Sequence, residues 1–170
     1  MKHVREVTPE GIDEGWLFDL IHITALISLS VSFICCVIVL ALIIVRDAKV
    51  RSVQAFFKRP IGDRLVVYLA ISILLFNASH IMDHAYMLAT RAFPPDAACA
   101  AFGFLLNEFV MAQSLIVMFT SINAFMMVVK ETKVPLRKYD WNLLVIAFGA
   151  PLVLGVILAS TEHFGPTGAW

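Results

Sequence analysis

Apolar residues run through this chain in four long blocks, each set off from the next by a short polar stretch. A hydrocarbon layer about 30 Å thick takes roughly 20 consecutive apolar residues in a helix. The blocks reach that length and predict membrane-spanning helices at about 17–45, 65–89, 98–129 and 141–159. Residues 46–64 and 130–140 become loops on one side of the membrane, and residues 1–16 a polar tail on the other. Pro94-Pro95 cannot continue a helix and marks the connection between the second and third spans, as Pro135 does between the third and fourth.

The polar positions differ from span to span. The first is a near-uniform run of Leu, Ile and Val broken by Thr24, Ser28, Ser30 and Ser32, a pattern suited to the edge of a bundle. The second divides at 100° per residue into two halves. Val67, Ala70, Ile71, Leu74, Leu75, Ala78, Ile81, Met82, Ala85 and Leu88 form an arc expected to face lipid. Tyr68, Ser72, Asn77, Ser79, His80, Asp83, His84 and Tyr86 oppose it and must face protein or a water-filled cavity. The third span carries Asn107, Ser114 and Ser121 on one side, Gln113 and Thr120 on another, and Glu108 and Asn123 elsewhere. With polar groups all round, it is expected to be enclosed by neighbours, which implies a bundle of more than four helices.

Charge sets the orientation. Of 13 Lys and Arg, six (Arg46, Lys49, Arg51, Lys58, Arg59, Arg64) and four (Lys130, Lys133, Arg137, Lys138) fall in the two loop regions. Short loops rich in Lys and Arg stay cytoplasmic, so both loops face in and the N-terminus faces out. The basic loops thus record topology and contact with anionic lipid; they give no case for nucleic acid. Phe56-Phe57-Lys58-Arg59 suits the headgroup layer, and Trp141 the membrane interface. Composition agrees: 60% of residues are hydrophobic and mean hydropathy is +0.85, against roughly 45–50% apolar residues in soluble domains. The opening apolar run lies behind an acidic tail and is too long for a cleaved leader. A multi-pass protein follows, expected in the plasma membrane or an endomembrane.

Candidate chemistry gathers near the outer ends of the second and third spans. At 1.5 Å per residue, Asp83 and His84 lie about 10 Å below the outer end of the second span and His80 about 15 Å, and Asn107 and Glu108 reach similar depth in the third. An ionised carboxylate at a helix centre costs about 2.5–3.5 kcal/mol on insertion scales, so Asp83 and Glu108 call for partners such as His80 or His84. His80, Asp83, His84, Asn107 and Glu108 are therefore the candidate ligand-binding residues, the competing reading being a polar cluster that fixes helix packing. His80, Asp83 and His84 have spacing for zinc, but no Cys or His of the third span completes a site, and His22 is a poor second haem ligand to His80. No metal or cofactor is expected. The absence of a phosphate loop, nucleophile triad or His-Glu-x-x-His pattern leaves no case for an enzyme. Adjacent Cys35 and Cys36 are small packing residues. Cys99, alone on the outer side, suggests a missing partner. Asn77-Ala78-Ser79 matches the glycosylation pattern but lies inside a span, out of reach.

Gly62-Asp63-Arg64-Leu65-Val66-Val67-Tyr68-Leu69-Ala70-Ile71-Ser72 at the second span, Cys99 opening the third, Trp141 and Pro151 in the fourth, and Gly165-Pro166-Thr167-Gly168-Ala169-Trp170 beyond it together resemble the first four helices of a seven-transmembrane G-protein-coupled receptor. The likeness is to the cyclic-AMP-receptor-like group, related to the secretin-type receptors, and covers residues 17–170. It implies an all-α membrane protein whose four helices correspond to the first half of a seven-helix bundle. It implies a disulfide from Cys99 to a cysteine beyond Trp170, so that the chain reads as an N-terminal portion. It further implies an unknown extracellular ligand and a heterotrimeric G protein met at Lys58, Arg59, Lys130 and Lys133. The third span closes on Phe125-Met126-Met127-Val128-Val129-Lys130-Glu131, without an acidic-Arg-Tyr triplet, so the rhodopsin-type lock does not carry over. Two other readings compete: a four-helix channel or transporter assembled as an oligomer, and a structural membrane protein.

Overall fold

Proline and the ends of the apolar blocks delimit the helices. A computed structural model describes residues 15–46, 56–132, 138–161 and 164. It contains α1 (Gly15–Arg46), α2 (Ile61–Thr90) and α3 (Asp96–Val129), followed by α4 (Trp141–Ser160). All four are long and apolar enough to cross a membrane, and there is no strand among the described residues. The chain is an all-α, multi-pass membrane protein; each helix overlaps one apolar block, and α2 begins at Ile61, inside the 46–64 segment read as a loop. The tail before Gly15 and Lys49, Arg51, Lys133 and Arg137 lie outside the described residues.

Pro60 and Pro95 precede α2 and α3 in extended conformation (ψ 144° and 147°), where a missing N–H does no harm. α2 closes on Arg91, in the left-handed conformation (φ 54°), whose N–H bonds the Met87 carbonyl. α4 is less regular. A π-helical stretch, Val145–Gly149, lies just before Pro151. Pro151 offers no N–H to the Ala147 carbonyl four residues back and crowds it, and the widened turn absorbs the conflict.

The helices pack in chain order, α1 on α2, α2 on α3 and α3 on α4. Among the described residues α2 is the most buried of the four helices, although α2 and α3 are each flanked on two sides. Ala70, on the arc expected to face lipid, is buried, whereas Ile71, Leu75 and Met82 of that arc are exposed. The exposed hydroxyls of Ser114 and Ser121 on α3 need no neighbouring helix, because they donate to the Val110 and Val117 carbonyls of their own helix.

Between α3 and α4 the buried positions recur at four-residue steps: Glu108, Ala112 and Ile116 on one, Leu143, Ala147, Pro151 and Gly155 on the other. Gly155 faces Phe104 so closely that a Cβ there would lie 2.8 Å from the ring. Counting back in steps of four along two antiparallel helices brings Glu108 level with Pro151. Leu65, Ile116, Leu143 and Ala147 form the apolar core, with Tyr68, Leu69, Phe119 and Phe148 against it.

Candidate functional site

Two polar clusters occupy opposite ends of α2. One lies at the end where α1 begins. His22 is about 10 Å along α1 from Gly15 and His84 about 9 Å back from the end of α2, so the two imidazoles meet at one depth. Their Nδ1 atoms are 2.7 Å apart, a hydrogen bond joining the helices. His80, one turn away, stacks on His84 with ring centroids 4.7 Å apart and planes 22° off parallel. Phe18 and Phe76 pack on His22 and His80 at 4.2 and 5.2 Å. Asp83 is buried, within electrostatic reach of His84 and His22 and of the Cys99 thiol. At the rim, Arg91 pairs with Asp19 at 2.7 Å and lies over the Phe18 ring.

The structure thus brings His80, Asp83 and His84 together with His22, which the sequence reading set aside as a poor haem ligand. An ionisable residue inside an apolar span is itself the signal for a site; it was available at His22. Asn107 and Glu108 make no hydrogen bond to this cluster. Asn107 Nδ2 and Glu108 Oε2 are buried without hydrogen-bond partners among the described residues, and Glu108 belongs to the stripe that faces α4. No three His, Cys, Asp or Glu are placed to hold a metal ion among the described residues. Cys35, Cys36 and Cys99 are free thiols, Cys99 half-buried.

The second cluster lies at the end bearing the basic loops. Arg64, at the start of α2, sits 3.2 Å from Asp140 and donates to the Phe57 carbonyl at 2.6 Å. Tyr68, one turn on, donates to the other Asp140 oxygen at 2.9 Å. Asp140 is wholly buried. It and Tyr139 have left-handed backbone (φ 54° and 61°), a conformation that costs a non-glycine residue about 1–3 kcal/mol. The ion pair and hydrogen bond hold that turn in place. Of the residues expected to face a G protein, Lys58 and Lys130 are exposed and Arg59 is half-buried with its guanidinium over Phe56; Lys133 lies outside the described residues.

Between the clusters, polar groups close on each other. Asn77 Nδ2 donates to Ser32 of α1 at 2.9 Å, Ser72 to the Phe109 carbonyl of α3, and Gln113 to the Ser72 carbonyl. Asn77 is buried, so the glycosylation pattern that begins there is inaccessible.

No family model, no curated protein and no solved structure matches the chain.

Proposed function

We propose that the chain supplies the first four helices of a seven-transmembrane G-protein-coupled receptor of the cyclic-AMP-receptor-like kind, in the plasma membrane with its N-terminus outside. The observation that carries this reading is the placement of both polar clusters on α2. His80, Asp83 and His84 stand near one end of that helix, Arg64 and Tyr68 near the other, and each cluster ties α2 to a different neighbour. A signal that alters the α1–α2 contact outside therefore acts on the same rigid element that anchors the turn before α4 inside. A ligand biases such a bundle by binding its alternative packings unequally. The basic loops then face the cytoplasm, with Lys58, Arg59, Lys130 and Lys133 toward the G protein.

The mid-membrane bonds weigh against a conduction path. Asn77, Ser72 and Gln113 spend their donors between helices and Ser114 and Ser121 within one, so they are packing groups more than the lining of a pore. The test is nucleotide exchange on a heterotrimeric G protein by the chain together with any downstream coding sequence, reconstituted in nanodiscs. Ligand-stimulated exchange supports the receptor. Unitary currents from the same material, with no exchange, would establish the channel instead.

A further inference from the structure

We propose that the His22–His84 contact is a proton-binding site: a clamp between α1 and α2 that closes on one shared proton and opens when the pair takes up a second charge, so that acid is the signal this site reads. The orientation toward extracellular protons rests on the receptor reading above.

The argument is one of valence. The two Nδ1 atoms face each other at 2.7 Å, room for one hydrogen between them. A neutral pair meets this with one ring as donor and the other as acceptor. A singly charged pair meets it too, the imidazolium donating to the neutral ring. A doubly charged pair sets N–H against N–H, and the bond is lost together with the attraction it supplied.

The surrounding charges limit how far the cluster can charge while closed. From α1 the facing groups are Asp19 and His22, and from α2 His80, Asp83, His84 and Arg91; from α3 the Cys99 thiol faces Asp83. Asp19 is taken by Arg91. Asp83 is then the carboxylate left to balance an imidazolium, and it balances one. A second charge on the His22–His84 pair has no further counter-charge in the cluster among the described residues. The open state accepts the extra proton and the closed state does not, so protons shift the balance to open: closure is complete when the histidines are neutral or singly charged and is lost as pH falls through the range where histidine protonates. Histidine is the side chain whose ordinary titration lies in the physiological range.

The experiment reads the α1–α2 distance directly. Spin labels at positions 16 and 89, both exposed, are placed in a chain otherwise freed of cysteine, reconstituted in nanodiscs and titrated from neutral to mildly acidic pH. The expected result is a reversible lengthening of about 2 Å or more, the scale of helix shifts at interfaces. It should disappear in both His22→Gln and His84→Gln and persist in Asp19→Asn, which removes the rim ion pair only. An unchanged wild-type distance, or a step retained in both histidine variants, overturns the proposal without need of any signalling assay. Nucleotide exchange measured in parallel separates the two readings. A distance step without exchange supports the clamp and counts against the receptor; acid-evoked exchange without a step supports the receptor and overturns the clamp.

Discussion

The guanidinium of Arg64 lies 3.2 Å from the carboxylate of Asp140, and this pair joins the start of α2 to the turn that leads into α4. Asp140 is fully enclosed, so removal of Arg64 leaves a buried charge whose remaining side-chain support is the Tyr68 hydroxyl. Truncating one partner of a buried pair costs about 3–5 kcal/mol. Arg64→Met and Asp140→Ala should each fall in that range in reversible unfolding, and the double variant should cost clearly less than their sum. Tyr68→Phe, which removes one hydrogen bond to a charged group, should cost about 1.5–3 kcal/mol.

Asn77 and Ser32 form a hydrogen bond between α1 and α2 at 2.9 Å. Interhelical bonds of this kind are worth about 0.6 kcal/mol on average in a membrane. A double-mutant cycle with Asn77→Ala and Ser32→Ala should return a coupling of that size. Protein made in a glycosylating cell should show no mobility shift on treatment with a glycosidase.

The four spans were legible in the sequence because a membrane helix must be apolar over a set length, and length is one-dimensional information. The polar half of α2 was legible for a related reason: spacing alone puts His80, Asp83 and His84 on one side. The partners were not. His22 meets His84, and Asp140 meets Arg64, only once the lateral order and rotation of the helices are known, and neither is encoded in the period of one segment. Depth and direction also separate. Asn107 and Glu108 were placed near the α2 histidines by depth, yet Glu108 shares the face of Ala112 and Ile116 that packs on α4. A polar residue in a span does not by itself require a neighbour: Ser114 and Ser121 satisfy themselves on their own backbone.

Glu108 has no ion pair or hydrogen bond among the described residues, and its Oε2 is buried. No cation among the described residues depends on it. Glu108→Gln should therefore leave stability unchanged or raise it, whereas an acid engaged with a basic partner would lose about 3 kcal/mol or more on such a change. Thermal unfolding in nanodiscs distinguishes these outcomes.

Gly155 gives Phe104 its place between α3 and α4. Gly155→Val adds bulk to a filled site, and overpacking of this kind costs about 1–3 kcal/mol. Pairing it with Phe104→Ala should recover part of the loss, because the ring is the group a branched side chain meets. Ser114→Ala and Ser121→Ala, on the exposed face of α3, should stay within about 0.5 kcal/mol of the parent.

The account rests on a chain that crosses the membrane four times with both basic loops inside, and labelling of single cysteines in whole cells tests it most directly. Cysteines introduced at Lys2 and Ala97 should react with a membrane-impermeant maleimide in intact cells, and cysteines at Lys58 and Lys130 only after permeabilisation. Reaction at Lys58 or Lys130 in intact cells, with Lys2 and Ala97 protected, would contradict the orientation and with it the receptor.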